Sequence, residues 1–226
     1  MRSQTVPGVT IALIAANLLV FFREIAMGPR GLEAFLLSWG FVPSRFFEAL
    51  TGQSSVLPAL LTLVSSLFLH GGWTHVIGNM WYLWIFGDNV EDRLGHAGYF
   101  AFYLACGVAA GLAHAFAQPG AVLPAVGASG AIAGVLGAYL VLYPRGTVLT
   151  LLPLFVFFTT VEIRAFWFLI FWFVLQSFSG VAELARTADM ASGGVAWWAH
   201  IGGFLAGAGL ALVLRVAGPS GRRRRG

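Results

Sequence analysis

The chain has 226 residues, of which 58% are hydrophobic, 15% aromatic and only 10% charged, and its mean hydropathy is +0.83. A soluble domain carries about 25% charged residues, so the composition excludes a soluble globular protein and predicts a polytopic membrane protein. The net charge of +4 comes from thirteen arginines and no lysine. Because these charges flank apolar segments, they bear on membrane topology and give no indication of nucleic-acid binding.

Six apolar runs predict six transmembrane helices in an all-α bundle. They form one domain over residues 1–226, with a core at about 8–216 and a basic tail at 217–226. The first run follows Arg2 without a clear cleavage site, which favours an uncleaved anchor over a signal peptide. The predicted spans are Thr10–Phe22, His75–Phe86, Gly98–Ala117, Ser129–Leu142, Ala165–Phe178 and Trp197–Val216.

Two connecting segments have a pattern of their own. Residues 24–56 mix arginines and prolines with semi-apolar stretches, which indicates a first loop lying on or partly in the membrane interface. Residues 148–161 can either begin one long tilted fifth helix or form a separate buried segment before it. Pro153 and the charges of Glu162 and Arg164 favour the separate segment.

The distribution of arginines predicts the orientation in the membrane. With the N-terminus inside, the inner side holds nine arginines and the outer side four, so both termini are expected in the cytoplasm. The inner set is Arg2, Arg93, Arg145, Arg164, Arg215 and Arg222–Arg225, and the outer set is Arg23, Arg30, Arg45 and Arg186. The absence of organelle-targeting features makes a prokaryotic plasma (inner) membrane the simplest expectation, and the arginine tail favours contact with anionic membrane lipids.

Polar residues cluster at the starts of the second, fourth and sixth spans. HGGWTHVIGN places His75 and Asn79 there, GASG places Ser129, and WWAHIGGFLAG places His200. Even-numbered spans all begin on the outer side, so the three clusters are expected at one depth. Intramembrane polar and ionisable groups are costly and are functional candidates by default.

Ser129 has two interpretations. Small residues let transmembrane helices approach closely, and a serine among them often bonds its own backbone. Alternatively, Ser129 is a nucleophile, which requires a base within about 2.6–3.2 Å of its hydroxyl. His200 is the candidate base, since Gly130 and the GxxxG pair Gly203 and Gly207 can bring the two helices together.

His75 and Asn79 suit a supporting role in such a site. They are i and i+4, so both project from one face of the second span. Both side chains can donate hydrogen bonds, and together with the backbone N–H of Ser129 they can hold a developing oxyanion. Taken alone, each residue is better explained by structure, His75 by capping or bridging helices and Asn79 by hydrogen bonding between helices.

The chain resembles the rhomboid family of intramembrane serine proteases in three motifs. These are FLHGGWTHVIGNMWYLWIFGDNVEDRLG at 68–95, GASG at 127–130 and AHIGGFLAG at 199–207. The resemblance extends over most of the chain and implies a six-helix bundle with a membrane-associated first loop.

By position, the resemblance assigns roles to individual residues. It implies Ser129 as nucleophile, His200 as base, and His75 and Asn79 as the oxyanion-stabilising pair. It also implies structural support from the residues Gly127, Gly130, Gly203, Gly207, Glu91 and Arg93, the last two as a pair at the inner end of the second span. The implied activity is hydrolysis of a peptide bond in or beside the transmembrane segment of a membrane-protein substrate.

Two features depart from the family pattern. The Trp-Arg pair often found in the first loop is missing, which leaves the anchoring of that loop open. Ala133 stands where some members carry a tyrosine that stacks on the catalytic histidine. His200 must therefore be oriented by a neighbouring aromatic residue or simply by packing.

Two other classes of protein compete with a protease. An inactive rhomboid-like protein would bind membrane clients without cutting them, and a small transporter would show repeat symmetry between its halves, which is not visible here. No cofactor and no metal site is predicted, since the single Cys106 lies in an apolar run and no HExxH motif occurs. The expected partners are transmembrane protein substrates and membrane lipids, without nucleic acid.

Overall fold

The computed structural model of the protein describes residues 5–154, 157–185 and 195–217. Within these ranges the chain forms nine α-helices, a 3₁₀ turn at Ser66–Phe68 and a β-hairpin. The helices are α1 (Gly8–Ile25), α2 (Pro29–Trp39), α3 (Pro43–Leu50), α4 (Val56–Ser65), α5 (Trp73–Leu94), α6 (His96–Ala117), α7 (Ser129–Leu142), α8 (Ala165–Ala185) and α9 (Trp197–Ala217). The hairpin strands β1 (Thr147–Leu154) and β2 (Phe157–Arg164) pair antiparallel.

The helices identify a polytopic membrane protein. Each of α1, α6, α8 and α9 is long and apolar enough to cross a membrane, and α4 with α5 passes as one broken span bent by 82°. Helix α7 is apolar but has only 14 residues, about 21 Å. A helix lies at each of the six predicted positions, whereas α4 was not predicted. The count of six spans remains a prediction.

Helix α7 lies at the centre of the bundle. All ten residues from Gly130 to Tyr139 are buried, and α5, α6 and α9 pack around the helix. A helix that is apolar on every side is expected inside a bundle. The short α7 is therefore enclosed by its neighbours, and its first residue, Ser129, lies at one end of this buried core.

Helices α7 and α9 approach each other through glycines. A Cβ atom added to Gly203 would lie 2.0 Å from the carbonyl oxygen of Gly130, and one added to Gly207 would lie 1.9 Å from that of Gly134. Such contacts leave no room for any side chain, so the backbones themselves touch. The predicted close approach of the two helices is observed.

The start of α1 is tied to the end of α5 by Glu91. The buried Glu91 carboxylate accepts hydrogen bonds from the N–H groups of Val9 and Thr10 at 2.8 Å and from the Thr10 hydroxyl at 2.7 Å. Nδ1 of His96 lies 2.6 Å from the same carboxylate. Glu91 thus binds amides that lack partners within α1 and complements the positive end of that helix. Arg93 lies in the last turn of α5, and within the part of the chain that the structure describes no hydrogen bond joins Arg93 to Glu91.

Residues 147–164 correct the prediction for this region. The segment is separate from α8, as predicted, but it is a β-hairpin whose second strand is mostly exposed, not a buried segment. Phe157 and Phe158 are 75% and 71% exposed. The run is rich in Leu, Val, Phe and Thr, and a short apolar run of this composition does not distinguish a strand from a buried helix.

Some sequence predictions fall outside the described residues. They are the arginines at 222–225 in the basic tail, and Arg2 and Arg186, which contribute to the orientation argument.

The contact between α7 and α9 predicts a large effect of one added methyl group. We expect Gly207→Ala to lower the free energy of unfolding by about 1–3 kcal/mol or more, because its Cβ meets backbone atoms that cannot rotate away. The matched control is Gly209→Ala on the same helix, where no atom lies within 4 Å of the added Cβ. Unfolding in detergent measures both variants, and equal stability of the two would contradict the contact.

Candidate active site

Ser129 and His200 meet where α7 and α9 begin. Oγ of Ser129 lies 2.8 Å from Nε2 of His200. Ser129 is the first residue of α7 and is half-buried, while His200 lies in the first turn of α9 and is 9% exposed. The distance is within the range at which a base can take the proton of a nucleophile.

Helix α8 supplies the surroundings of the His200 ring. Oε1 of Gln176 lies 2.7 Å from Nδ1 of His200, so both ring nitrogens have hydrogen-bond partners. The Trp172 ring lies 6.0 Å from the His200 ring at 34°, and the Trp197 ring lies 6.1 Å away at 87°. Aromatic neighbours of His200 are therefore present, and Gln176 is a further contact; whether the rings or simple packing orient His200 stays a prediction.

The loop before Ser129 is held by backbone hydrogen bonds to the first loop and to the 3₁₀ turn at Ser66–Phe68. Phe41 and Ala125 exchange backbone hydrogen bonds of 3.1 and 2.8 Å, and the N–H of Gly127 donates to the carbonyl oxygen of Ser66 at 2.9 Å. Phe41 is also part of a buried cluster beside α6. These contacts anchor the first loop in a chain that lacks the Trp-Arg pair.

His75 and Asn79 both lie beside Gly127. A Cβ atom on Gly127 would lie 2.7 Å from Nε2 of His75 and 3.6 Å from Nδ2 of Asn79. Gly127 has φ +126°, a conformation that residues with a side chain rarely adopt. The two side chains therefore converge on the turn that leads into Ser129.

Asn79 is held by a residue that had no predicted role. Its side-chain amide Nδ2 lies 3.0 Å from Nε2 of the buried His70. The His70 backbone N–H in turn lies 3.2 Å from both carboxylate oxygens of the buried Glu24, near the end of α1. Asn79 is thus connected through His70 to α1.

Sequence reasoning missed Gln176, Glu24 and the contact between His70 and Asn79. A usable signal existed for the first two, because a glutamine and a glutamate inside apolar runs are costly there. The contacts themselves join residues far apart in the chain, at separations of 24 and 46 positions, and no local motif encodes them.

The geometry provides three chemical elements together. These are a hydroxyl beside an imidazole, amide and imidazole donors nearby, and the N-terminus of α7, whose first N–H groups have no partner within the helix. In the ranges 5–154, 157–185 and 195–217 no group of three or more His, Cys, Asp or Glu side chains is placed to hold a metal ion. The fold and site together define a helical membrane protein with a serine–histidine pair.

Comparison with known proteins identifies the family. The Rhomboid domain profile matches residues 57–217. The chain is 28% identical over 165 residues to "Rhomboid protein 1, mitochondrial" of Saccharomyces cerevisiae, which covers 69% of the chain and 42% of that protein. It is 32% identical over 135 residues to "Rhomboid protease GluP" of Bacillus subtilis, a match that covers 59% of the chain and 24% of that protein. It is 34% identical over 116 residues to the human "Presenilin-associated rhomboid-like protein, mitochondrial", a match that covers 50% of the chain and 30% of that protein.

The chain belongs to the rhomboid family. Its matching region and its helical membrane fold agree with the family resemblance of the three sequence motifs. The chain spans about two fifths or less of the length of each of these relatives. Membership supports an intramembrane protease-like function at the level of the family.

The turn at Gly127 predicts a specific weakness. We expect Gly127→Ala to cost about 1–3 kcal/mol of stability, because alanine is strained at this φ and its Cβ displaces the His75 ring. The control is Gly78→Ala in α5, next to Asn79 in the sequence, where no atom lies within 4 Å of the added Cβ. Thermal unfolding in detergent compares the two, and a Gly127→Ala protein as stable as Gly78→Ala would contradict the turn geometry.

Proposed function

We propose that the protein is an intramembrane serine endopeptidase in which Ser129 and His200 form a catalytic dyad. The observation that carries the proposal is the 2.8 Å approach of Ser129 Oγ to His200 Nε2. A serine hydroxyl gains nucleophilicity only beside a base, and packing of α7 on α9 alone does not require a histidine at that position. Family membership supports the same chemistry.

The reaction begins with attack of Ser129 Oγ on the carbonyl carbon of the scissile peptide bond. His200 Nε2 accepts the hydroxyl proton as the new C–O bond forms. His200 then donates that proton to the leaving amine nitrogen, and the C–N bond breaks. His200 then takes a proton from water as the water oxygen attacks the acyl carbon, the C–O bond to Ser129 breaks, and His200 returns the proton to Ser129 Oγ.

His75, Asn79 and the Ser129 backbone N–H are the proposed donors to the tetrahedral oxyanion. His75 and Asn79 lie on one face of α5 beside Gly127. The Ser129 N–H lies at the positive end of α7, where a negative charge is favoured. Preorganised donors of this kind stabilise the charge that develops in the transition state.

The proposed substrates are membrane proteins cut in or beside a transmembrane segment. A helical substrate must unwind locally before Ser129 can reach its backbone, so glycine or proline near the cleaved bond favours cleavage. Residues 1–226 are proposed to act as a single domain. The arginine distribution supports cytoplasmic termini. A prokaryotic plasma membrane is the proposed location of the protein.

Cleavage in a bilayer tests the proposal. Purified protein in proteoliposomes is incubated with single-span proteins whose transmembrane segments carry glycine or proline, and products are identified by mass spectrometry. Ser129→Ala and His200→Ala are each expected to abolish cleavage with the unfolding midpoint unchanged within a few degrees. The control is Ser177→Ala, an intramembrane serine whose hydroxyl bonds the Phe173 carbonyl of its own helix. Cleavage that survives in Ser129→Ala would refute the dyad, and a folded wild type that binds but never cuts would favour an inactive client-binding protein.

Asn79 provides a separate test of the oxyanion site. We expect Asn79→Ala to lower kcat by up to about 10²–10³, the range for one lost oxyanion donor, with KM little changed. Steady-state kinetics on a cleaved substrate measures both constants. Wild-type kcat in a folded Asn79→Ala protein would remove this residue from the site.

A further inference from the structure

Gln176 lies on α8, the helix between the hairpin and α9, and it reaches the ring nitrogen of His200 that Ser129 does not use. The 2.7 Å distance from its Oε1 to Nδ1 of His200 is a normal hydrogen bond. Trp172, one helical turn earlier on the same face of α8, lies beside the same ring. Helix α8 therefore contacts His200 at two points.

The hydrogen bond to Gln176 has a consequence for the proton on His200. A neutral imidazole carries one N–H, on either Nδ1 or Nε2. A carbonyl oxygen at Nδ1 accepts only from Nδ1–H, which leaves the lone pair of Nε2 directed at Ser129 Oγ. In the other tautomer Nε2 carries the proton, so Nε2 can no longer accept the proton of Ser129.

We propose that Gln176 is the positioning residue that fixes His200 in the tautomer able to act as base. The inference rests on the proposed dyad and adds a third member to it. When Nε2 takes the Ser129 proton, the imidazolium keeps Nδ1–H donated to Gln176 Oε1, and Nε2–H passes to the leaving amine. Gln176 itself gains and loses no proton.

A neutral amide is a suitable partner at this position. In a Ser–His–Asp triad a carboxylate holds the histidine tautomer and also stabilises the imidazolium. Within a membrane a buried carboxylate carries a large desolvation cost. The amide of Gln176 supplies the orienting acceptor without that charge. Ala133 has no ring to stack on His200, and α8 provides an aromatic neighbour in Trp172 and a hydrogen-bond acceptor in Gln176.

The proton position is measured directly by ¹⁵N NMR of histidine-labelled protein in bilayers near neutral pH. The chain has five histidines, and the His200 signals are assigned as those lost in His200→Ala. The expected result is a protonated Nδ1 and an unprotonated Nε2 in the wild type. In Gln176→Met, which keeps the length of the side chain without the acceptor, the Nε2–H form is expected to increase. A wild-type His200 protonated on Nε2 would overturn the proposal.

Kinetics gives the second readout. Gln176→Met is expected to lower kcat about ten- to a hundredfold with KM nearly unchanged, the range that one unpaired buried donor implies. Gln176→Glu keeps an acceptor oxygen at the same reach and is expected to retain most of the activity. Ser177→Ala, the next position on α8, serves as the control and is expected to match the wild type. A merely structural role predicts equal losses in the Met and Glu variants.

The outcomes separate this inference from the proposed function. If the wild type cuts substrate and Gln176→Met cuts equally well, the inference fails and the dyad stands. If the wild type neither cuts substrate nor reacts at Ser129 while Nδ1 of His200 is protonated, the proposed function fails and the hydrogen bond stands. An unfolding midpoint for each variant confirms that the comparison is made on folded protein.

Discussion

The backbone contact between α7 and α9 is the constraint on which the candidate site depends. Ser129 and His200 stand at the starts of these two helices, and the side chains of serine and histidine are short. They come within 2.8 Å only because glycines let the helices touch along their length. Within a membrane, helix association relies on such close packing because burial from water contributes little. Stability and the geometry of the serine–histidine pair therefore have the same physical origin.

Other contacts fix the elements that surround these two helices. Glu91 binds the start of α1 to the end of α5, and the backbone bridge of Phe41 with Ala125 attaches the first loop to the segment before Ser129. At the opposite end of α1, Glu24 contacts His70, and His70 contacts Asn79. The buried carboxylates of Glu91 and Glu24 are thus both paired with hydrogen-bond donors, as a low-dielectric surrounding requires.

The sequence predicts the helices well where the apolar runs contain few polar residues. The start of α7 at Ser129 and of α9 at Trp197 are predicted to the residue, because loop residues end abruptly there. Helix α5 extends to Leu94, beyond the predicted Phe86, since its last two turns carry acidic residues that a hydropathy criterion rejects. The hairpin is missed because its apolar, β-branched composition fits several structures. The pairing of Ser129 with His200 is predicted by the motifs, whereas the Gln176 contact joins two helices without any local sequence pattern and is seen only in the three-dimensional structure.

The most direct measurement of the central claim is reaction of the purified protein, in lipid bilayers, with a fluorophosphonate that modifies only activated serines. Mass spectrometry of the product locates the adduct. A Ser129–His200 dyad predicts a single adduct on Ser129 in the wild type, none in Ser129→Ala, and little or none in His200→Ala, because the hydroxyl is reactive only beside its base. A well-folded wild type that remains unmodified at Ser129 would contradict the dyad and leave the GASG segment as a helix-packing motif.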